Sequence, residues 1–373
     1  MPATLAIAVN DLRRGVLADE ELAEAVSRVT LSGRYLLGEE TCAFERELAD
    51  YLGVGHVVGV ASGTAALQLA FRALGGGPGQ EVVSAANAGG YAALAARSCG
   101  MDVRFADVED RDLLVSRRTL EQALTPRTSM VVVTHLYGKM APVAAVCDLC
   151  RSRGIAVVED CAQAAGAHAG GRYAGSFGDA AAFSFYPTKN LAAIGDGGAI
   201  ATSDAQVAAR ARRLSQYGWG DKYRVREDGG GNWRMDEIQA AVLRVRLPRL
   251  DERNRRRRAI ARSYARALAT TPVGMAQEGG DDYVAHLAVV RTPRREELAE
   301  ALGVRGIGTA VHYPLPDHRQ KIIGAPAARL PVTERACEQV LTLPCFPELE
   351  YEETETVCAA LEEIALEDVA RWL

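Results

Sequence analysis

The 373-residue chain contains no run of 18 or more apolar residues, so its sequence predicts no membrane-spanning helix. The first residues, MPATLAIAVNDLRRG, lack the basic segment that precedes the apolar stretch of a secretory signal, and we therefore expect a cytoplasmic protein. The formal net charge of −5 gives no reason to expect a nucleic-acid partner. What remains is the composition of a globular protein, with 48% hydrophobic and 24% charged residues.

Patterns typical of metal sites are also scarce. Of the eight cysteines, Cys147 and Cys150 form a lone C-x-x-C pair, with no second pair and no histidine nearby. We therefore predict that these two thiols pack in a core, and we predict no metal site. The densest basic run, Arg255–Arg258, falls within a mixed-charge helical pattern, which favours a solvated helix face.

Short apolar runs separated by helical patterns dominate the first 205 residues. Strands that alternate with helices are typical of a mostly parallel, doubly wound sheet. We count seven candidate strands, at residues 56–62, 81–86, 102–108, 129–135, 155–162, 180–185 and 198–202.

The chain is too long for one ordinary core, so two domains are expected. Residues from about 206 to 270 read mainly as helix, and residues from about 281 onward read as a small α+β unit. We predict a large domain at residues 1–250 and a small C-terminal α+β domain at residues 251–373.

Three of the candidate strands are followed by residues that suit a binding site, and ligands of such sheets gather at the carboxyl ends of the strands. Gly63 and Thr64 follow the first strand at a turn into a helix, where backbone N–H groups favour an anion, although Ser62 beside them is also an ordinary N-cap residue. Asp160 ends the fifth strand, where a salt bridge or a cap would also explain it. Lys189 follows the sixth strand in FSFYPTKN. It would act there either as a nucleophile toward a carbonyl or as a positive charge that binds a phosphate.

Each of these signals is ambiguous alone, but together they match the needs of pyridoxal 5′-phosphate. Its phosphate suits a helix N-terminus, its aldehyde reacts with a lysine amine, and its pyridine nitrogen pairs with a carboxylate. The set therefore predicts a pyridoxal phosphate site at the sheet edge, with Lys189 as its reactive amine.

The same motifs, and others along nearly the whole chain, resemble the DegT/DnrJ/EryC1/StrS family of sugar aminotransferases. They include GEETCAFERELADYLGVGHVVGVASGTAAL, FSFYPTKN, GDGGAIAT, GNWRMDEIQAAVLRVRLPRLDERN and VHYPLPDH. The resemblance implies the aspartate aminotransferase fold, fold type I, with a large cofactor domain and a smaller C-terminal domain.

The resemblance also implies roles for individual residues. Lys189 is similar to the Schiff-base lysine that acts as acid and base, and Asp160 to the partner of the pyridinium nitrogen. The other cofactor contacts implied are Gly63, Thr64, Ala162, Gln163 and Ser184, with Asn232 reaching the phosphate from the neighbouring subunit of a homodimer with shared active sites. His312, Tyr313 and His318 are similar to residues at the substrate pocket.

The chain departs from the family pattern after the second strand. Family members commonly carry an aromatic residue there that stacks on the pyridine ring, and the segment SAANAGGYAALAARSCG places Gly89 at that position. We predict that Tyr91, two residues on, stacks on the ring instead.

These features together predict an aminotransferase that moves an amino group from L-glutamate or L-glutamine to a nucleotide-linked 3- or 4-keto-deoxysugar by a ping-pong mechanism. A cyclitol ketone is an alternative substrate. A sugar dehydratase is a weaker alternative, because related dehydratases replace the lysine with histidine and this chain keeps Lys189. A Rossmann dehydrogenase is disfavoured because the candidate glycine motif, GGGPGQE, precedes a strand.

Overall fold

The computed structural model describes residues 7–17, 19–321, 323 and 328–367. The helices in this part are α1 Leu12–Leu17, α2 Leu22–Ser32, α3 Glu39–Leu52, α4 Gly63–Ala73, α5 Tyr91–Ser98, α6 Arg117–Ala123, α7 Val143–Arg151, α8 Ala205–Leu214, α9 Glu237–Arg246, α10 Leu250–Ala267, α11 Arg295–Val304, α12 Pro331–Gln339 and α13 Tyr351–Glu367. The strands are β1 His56–Val60, β2 Glu81–Ala85, β3 Asp102–Ala106, β4 Thr128–Thr134, β5 Ala156–Asp160, β6 His168–Ala169, β7 Arg172–Tyr173, β8 Ala180–Ser184, β9 Gly198–Thr202, β10 Trp219–Asp221, β11 Arg224–Val225, β12 Gly274–Met275, β13 Ala288–Arg291 and β14 Val340–Leu343. None of the helices in these ranges is both long and apolar enough to cross a membrane.

All seven predicted strands pair in one sheet, in the order β1-β9-β8-β5-β4-β2-β3. The pairs β2–β3, β2–β4, β4–β5 and β5–β8 are parallel, whereas β9 is antiparallel to both of its neighbours. The carboxyl ends of β1, β5 and β8 therefore lie at the same edge of the sheet, as a doubly wound fold requires for a shared site.

Both faces of the sheet are covered, which explains why its strands read as continuous apolar runs. In β4, for example, Val131 and Val133 belong to one core, and Met130 and Val132 belong to the core on the opposite face. This alternation follows from the two-residue period of a strand.

The C-terminal part forms a three-stranded antiparallel sheet, β12-β13-β14, packed with helices. It has a third core, which includes Tyr264, Leu298, Leu341 and Leu361. Helix α10 spans the junction, since Leu250 at its start belongs to the core of the large sheet and Tyr264 near its end belongs to the third core. The boundary at residue 250 remains a prediction.

The basic run on α10 corrects one expectation. Arg255 and Arg256 are exposed as predicted, but Arg257 is buried, with 4% of its surface exposed. Successive residues of a helix point about 100° apart, so a run of four arginines cannot all face solvent on a helix that packs against a core.

Candidate functional site

The carboxyl edge of the large sheet opens into a chamber of about 540 Å³. It is lined from the sheet side by Ser62, Gly63, Thr64, Asp160, Ala162, Gln163, Ser184 and Lys189. Tyr91 and the C-terminal residues His286, His312 and Tyr313 line it as well. The structure thus brings together ten of the twelve site residues predicted from the sequence.

The first turn of α4 supplies the anion-binding element of the chamber. Ser62 is the N-cap of this helix, and its hydroxyl accepts a hydrogen bond from the Ala65 N–H at 3.1 Å. A side chain at Gly63 would place its Cβ 2.7 Å from the Cβ of Ser184. A side chain at Gly198 would place its Cβ 2.3 Å from the carbonyl carbon of Ser62. These two glycines therefore let the helix start approach the strands closely, with its partial positive charge toward the chamber.

Lys189 and Asp160 lie in the same water-poor part of the chamber. Removal from bulk water lowers the pKa of Lys189 to about 8, and the negative charge of Asp160 opposes this shift. Burial also disfavours the charged form of Asp160 and so raises its pKa, whereas the Ala162 N–H and the charge of Lys189 act to lower it. The Ala162 N–H donates to Oδ1 of Asp160 at 3.1 Å. Lys189 therefore has a larger neutral fraction near pH 7 than an ordinary lysine.

A buried histidine and glutamate hold the strand end that carries Asp160. The His135 N–H donates to the carbonyl oxygen of Asp160 at 3.1 Å. The ring of His135 accepts from the Ala141 N–H through Nδ1, so its Nε2 carries the hydrogen that is donated to Glu159 at 3.0 Å. Glu159 also accepts from three backbone N–H groups, at Gly175, Phe177 and Gly178. Cys161 lies close to this pair, but neither ring nitrogen of His135 has a lone pair left for a metal ion, because Nδ1 accepts from Ala141 and Nε2 carries the donated hydrogen. The arrangement therefore serves to fix β5.

Tyr313 occupies the space that Gly89 leaves free. A Cβ at Gly89 would lie 2.9 Å from Cε1 of the Tyr313 ring, and Gly89 has a φ of +80°. The amide of Gln163 donates to the Tyr313 hydroxyl at 3.1 Å, while its Oε1 accepts from the Tyr137 N–H at 2.6 Å. The Tyr91 ring meets the Tyr313 ring edge-on, with centroids 6.3 Å apart, and remains half exposed.

The remaining predicted residues differ in their placement. His312 lines the chamber, and its Nδ1 is bonded to the Thr342 hydroxyl at 2.8 Å. His318 lies outside the chamber, because Glu334 of α12 holds its Nε2 at 3.0 Å and its ring packs near Phe105. Asn232 is exposed and also lies outside the chamber of its own chain.

His286 is the main site residue that the sequence analysis missed. It is buried in the chamber wall, with Nδ1 2.9 Å from Oδ1 of Asn190, and burial lowers its pKa well below the ordinary value. The positive charge of Lys189 acts in the same direction. Its signal in the sequence was a single polar residue inside the apolar run YVAHLAVVR.

The model of the DegT/DnrJ/EryC1/StrS aminotransferase family matches residues 17–362. The chain belongs to this family. Membership confirms the predicted fold class and identifies the chain as a PLP-dependent aminotransferase.

Individual family members match over nearly their full length. The chain is 44% identical to a dTDP-3-amino-3,4,6-trideoxy-alpha-D-glucose transaminase of Streptomyces venezuelae, over 91% of each chain. It is 40% identical to a transaminase of the same name from Micromonospora megalomicea subsp. nigra, over 92% of this chain and 94% of the relative. Among solved structures, that of DesV from S. venezuelae superposes with a TM-score of 0.93 at 42% identity, covering 96% of this chain and 98% of DesV.

Proposed function

We propose that the chain transfers the amino group of L-glutamate to the C3 ketone of a dTDP-linked deoxysugar. The observation that carries this proposal is the single chamber in which Lys189, Asp160 and the start of α4 converge. The sugar is proposed from two relatives, 44% and 40% identical to this chain, both of which are named for a dTDP-3-amino sugar.

The residues present fit pyridoxal phosphate. The start of α4, with Gly63, Thr64 and the nearby Ser184, offers N–H and hydroxyl donors for its phosphate, and the Gly63 position leaves no room for a Cβ. Asp160 provides a buried carboxylate for the ring nitrogen, whose positive charge would draw the raised pKa of Asp160 back down. When bound, the cofactor supplies an aldehyde that accepts the amine and a ring that delocalises an electron pair.

The side chains of the chain have distinct tasks in this proposal. Lys189 Nζ takes the proton from the α-carbon of the amino donor and delivers it at the reacting carbon, which requires an amine whose pKa is near the working pH. Asp160 holds a proton at the ring nitrogen. Ala162 would pack against the ring of the cofactor, and the Gln163 amide would donate to the phenolic oxygen of that ring. Because donor and acceptor react in turn at the same lysine, the kinetics are ping-pong.

An aromatic residue would cover the face of the cofactor ring opposite Ala162 in this proposal. The structure favours Tyr313 for contact at this position, since its ring fills the space beside Gly89. Tyr91, the residue predicted from the sequence, packs edge-on behind it. His312 and Tyr313 would then also border the sugar pocket.

We further propose a homodimer in which Asn232 completes the partner's chamber. Asn232 Oδ1 accepts from Arg234 at 2.6 Å, and Asn232 does not line the chamber of its own chain. Tyr35, Leu36 and Tyr217 lie nearby and are exposed, and apolar surface of this kind favours burial against a second copy.

The dimer proposal is tested by subunit mixing. Lys189→Ala protein and Asn232→Ala protein are unfolded together and refolded. In a shared-site dimer, one site collects both defects and the other collects none, so activity rises above that of either parent refolded alone. Proven subunit exchange with no gain would contradict shared sites.

The substrate proposal is tested with purified holoenzyme, L-glutamate and a dTDP-linked 3-keto-4,6-dideoxyhexose. We expect 2-oxoglutarate and the 3-amino sugar in equal amounts, measured by mass spectrometry. The 4-keto isomer and a cyclitol ketone serve as comparison substrates, and Lys189→Ala protein serves as the inactive control. Faster amination of either comparison substrate would contradict the proposed sugar.

A further inference from the structure

A second cavity, of about 270 Å³, adjoins the chamber. Asn10, Thr188 and Lys189 line both spaces, so the two cavities meet at the reactive lysine. Its charged lining consists of four cationic and two acidic side chains, namely Lys189, Arg246 of α9, Arg253 and Arg257 of α10, Asp11 and Glu348. Apolar and small residues of 12–16, 192–194 and 346–347 form much of the rest of its wall.

The three arginines differ in how their charge is compensated. Arg246 Nε lies 2.9 Å from Asp19, and Arg253 Nη2 lies 2.5 Å from the same carboxylate. Arg257 donates only to carbonyl oxygens, those of His286 and Cys345. Among the described residues, no carboxylate pairs with Arg257, and its Nε has no hydrogen-bond partner.

An uncompensated buried guanidinium is costly, so its position at a cavity points to an anionic guest. Of the two carboxylates in this lining, Asp11 lies 3.4 Å from Arg14, which is outside the lining, and Glu348 lies 3.8 Å from Arg253. The charge of Glu348 also acts on Arg257, but no carboxylate among the described residues lies within ion-pair distance of the Arg257 guanidinium.

We propose that this second cavity binds a carboxylate, and that it receives a carboxylate of the amino donor during the reaction. The inference rests on the proposed function for the identity of that donor. L-glutamate carries carboxylates at both ends of a five-carbon chain, and its amino group must reach Lys189, which both cavities share. The larger chamber is then left to the sugar, so donor and acceptor are recognised by different groups.

The probe is glutarate, a five-carbon dicarboxylate without an amine, added to the holoenzyme. Its dissociation constant is measured by calorimetry, together with its inhibition of turnover against L-glutamate. Three variants are compared with the parent, namely Arg257→Lys, Glu348→Gln and the control Arg256→Gln. The control removes a positive charge at the neighbouring, exposed position of the same helix, whereas Arg257→Lys keeps the charge and changes only the shape of the cationic group.

We expect glutarate to compete with L-glutamate. Arg257→Lys should weaken its binding about tenfold, because the lysine cannot reproduce the fork of a guanidinium. Glu348→Gln should tighten binding several-fold by removing a repelling charge, roughly as expected for one partly screened charge. The control should bind glutarate as the parent does, and KM for the sugar should change in none of the three.

Failure to bind glutarate, or equal binding by the parent and Glu348→Gln, would overturn the inference. The Glu348→Gln result decides alone if Arg257→Lys does not fold. If glutarate binding follows the expected order but L-glutamate gives no transamination, the carboxylate site stands and the proposed donor is wrong. If L-glutamate is turned over normally but the variants show none of these effects, the proposed function stands and the carboxylate site in the second cavity is overturned.

Discussion

The two sides of the chamber arise from different parts of the chain. We define its floor as the sheet-edge residues Gly63, Thr64, Asp160, Ser184 and Lys189, and its far wall as His286, His312 and Tyr313. The floor residues lie on strands of one sheet or within about five residues after them, so the geometry of the floor follows from the topology. The far wall comes from the C-terminal part and depends on long-range packing, such as the hydrogen bond from the Asp317 N–H to the Ala86 carbonyl at 2.7 Å.

This difference separates the chemistry from the recognition. Every floor residue offers an anion site, a carboxylate or the reactive amine, which any substrate of the enzyme would need. The far wall offers aromatic and imidazole rings whose identity and position can change without changing the sheet. We therefore expect floor variants to lose the reaction with all substrates, and far-wall variants to alter binding.

The largest effect is expected for Lys189→Ala. Without the amine, the chain cannot move the proton, and transamination should fall below detection with any ketone. Turnover is measured as 2-oxoglutarate release. The far-wall variant His312→Ala provides the comparison, and a Lys189→Ala protein that retains turnover would place the acid–base group elsewhere.

Asp160→Asn should keep the fold but lose most of the activity. An amide cannot hold the ring nitrogen protonated, and loss of a charge-assisted hydrogen bond is worth about 1.5–3 kcal/mol, on the order of tenfold or more in rate. We expect kcat to fall for both half-reactions while the circular dichroism spectrum stays that of the parent. Near-native turnover would mean that Asp160 has only a structural role.

A smaller effect is expected from the far wall. Tyr313→Ala should weaken cofactor affinity several-fold and more than Tyr91→Ala does, because Tyr313 packs beside Gly89. Affinity is measured by fluorescence titration of the apo-protein. Equal losses in the two variants, or a larger loss in Tyr91→Ala, would return the covering role to Tyr91.

A double-mutant cycle with Gly89→Ala sharpens this test. The backbone strain at φ +80° is the same in both backgrounds and cancels in the cycle, whereas the contact with the Tyr313 ring is present only in the parent. Gly89→Ala should therefore cost less cofactor affinity when residue 313 is alanine. A coupling of zero would show that the two positions do not meet.

The pH dependence of cofactor capture tests the floor alone. The neutral amine is the reactive form, so the rate at which apo-protein captures pyridoxal phosphate should rise with pH and level off above about pH 8, the lowered pKa of Lys189. Since the charge of Asp160 opposes this lowering, Asp160→Asn should move the midpoint to a lower pH. A rate that keeps rising toward pH 10 would indicate an ordinary lysine.

The sequence predicted the floor better than the far wall for a physical reason. Lys189 and Asp160 stand out as charges after apolar strands, and parallel topology then brings them to one edge. His318 was misplaced because Glu334, 16 residues further on, holds its ring outside the chamber. Arg257 was misread because residue type does not reveal which of four adjacent arginines faces the core. His286 was missed because a single histidine in an apolar strand gives no pairing signal.

The most direct test of this account is borohydride reduction of the holoenzyme, followed by peptide mapping. Reduction makes the bond between cofactor and lysine permanent, so the modified residue can be read by mass spectrometry. We expect the cofactor mass on the peptide that contains Lys189, and we expect this label to disappear after preincubation with L-glutamate, whose amine displaces the lysine. Label on Lys139 or another lysine, or label that L-glutamate does not diminish, would contradict the central role of the sheet-edge lysine.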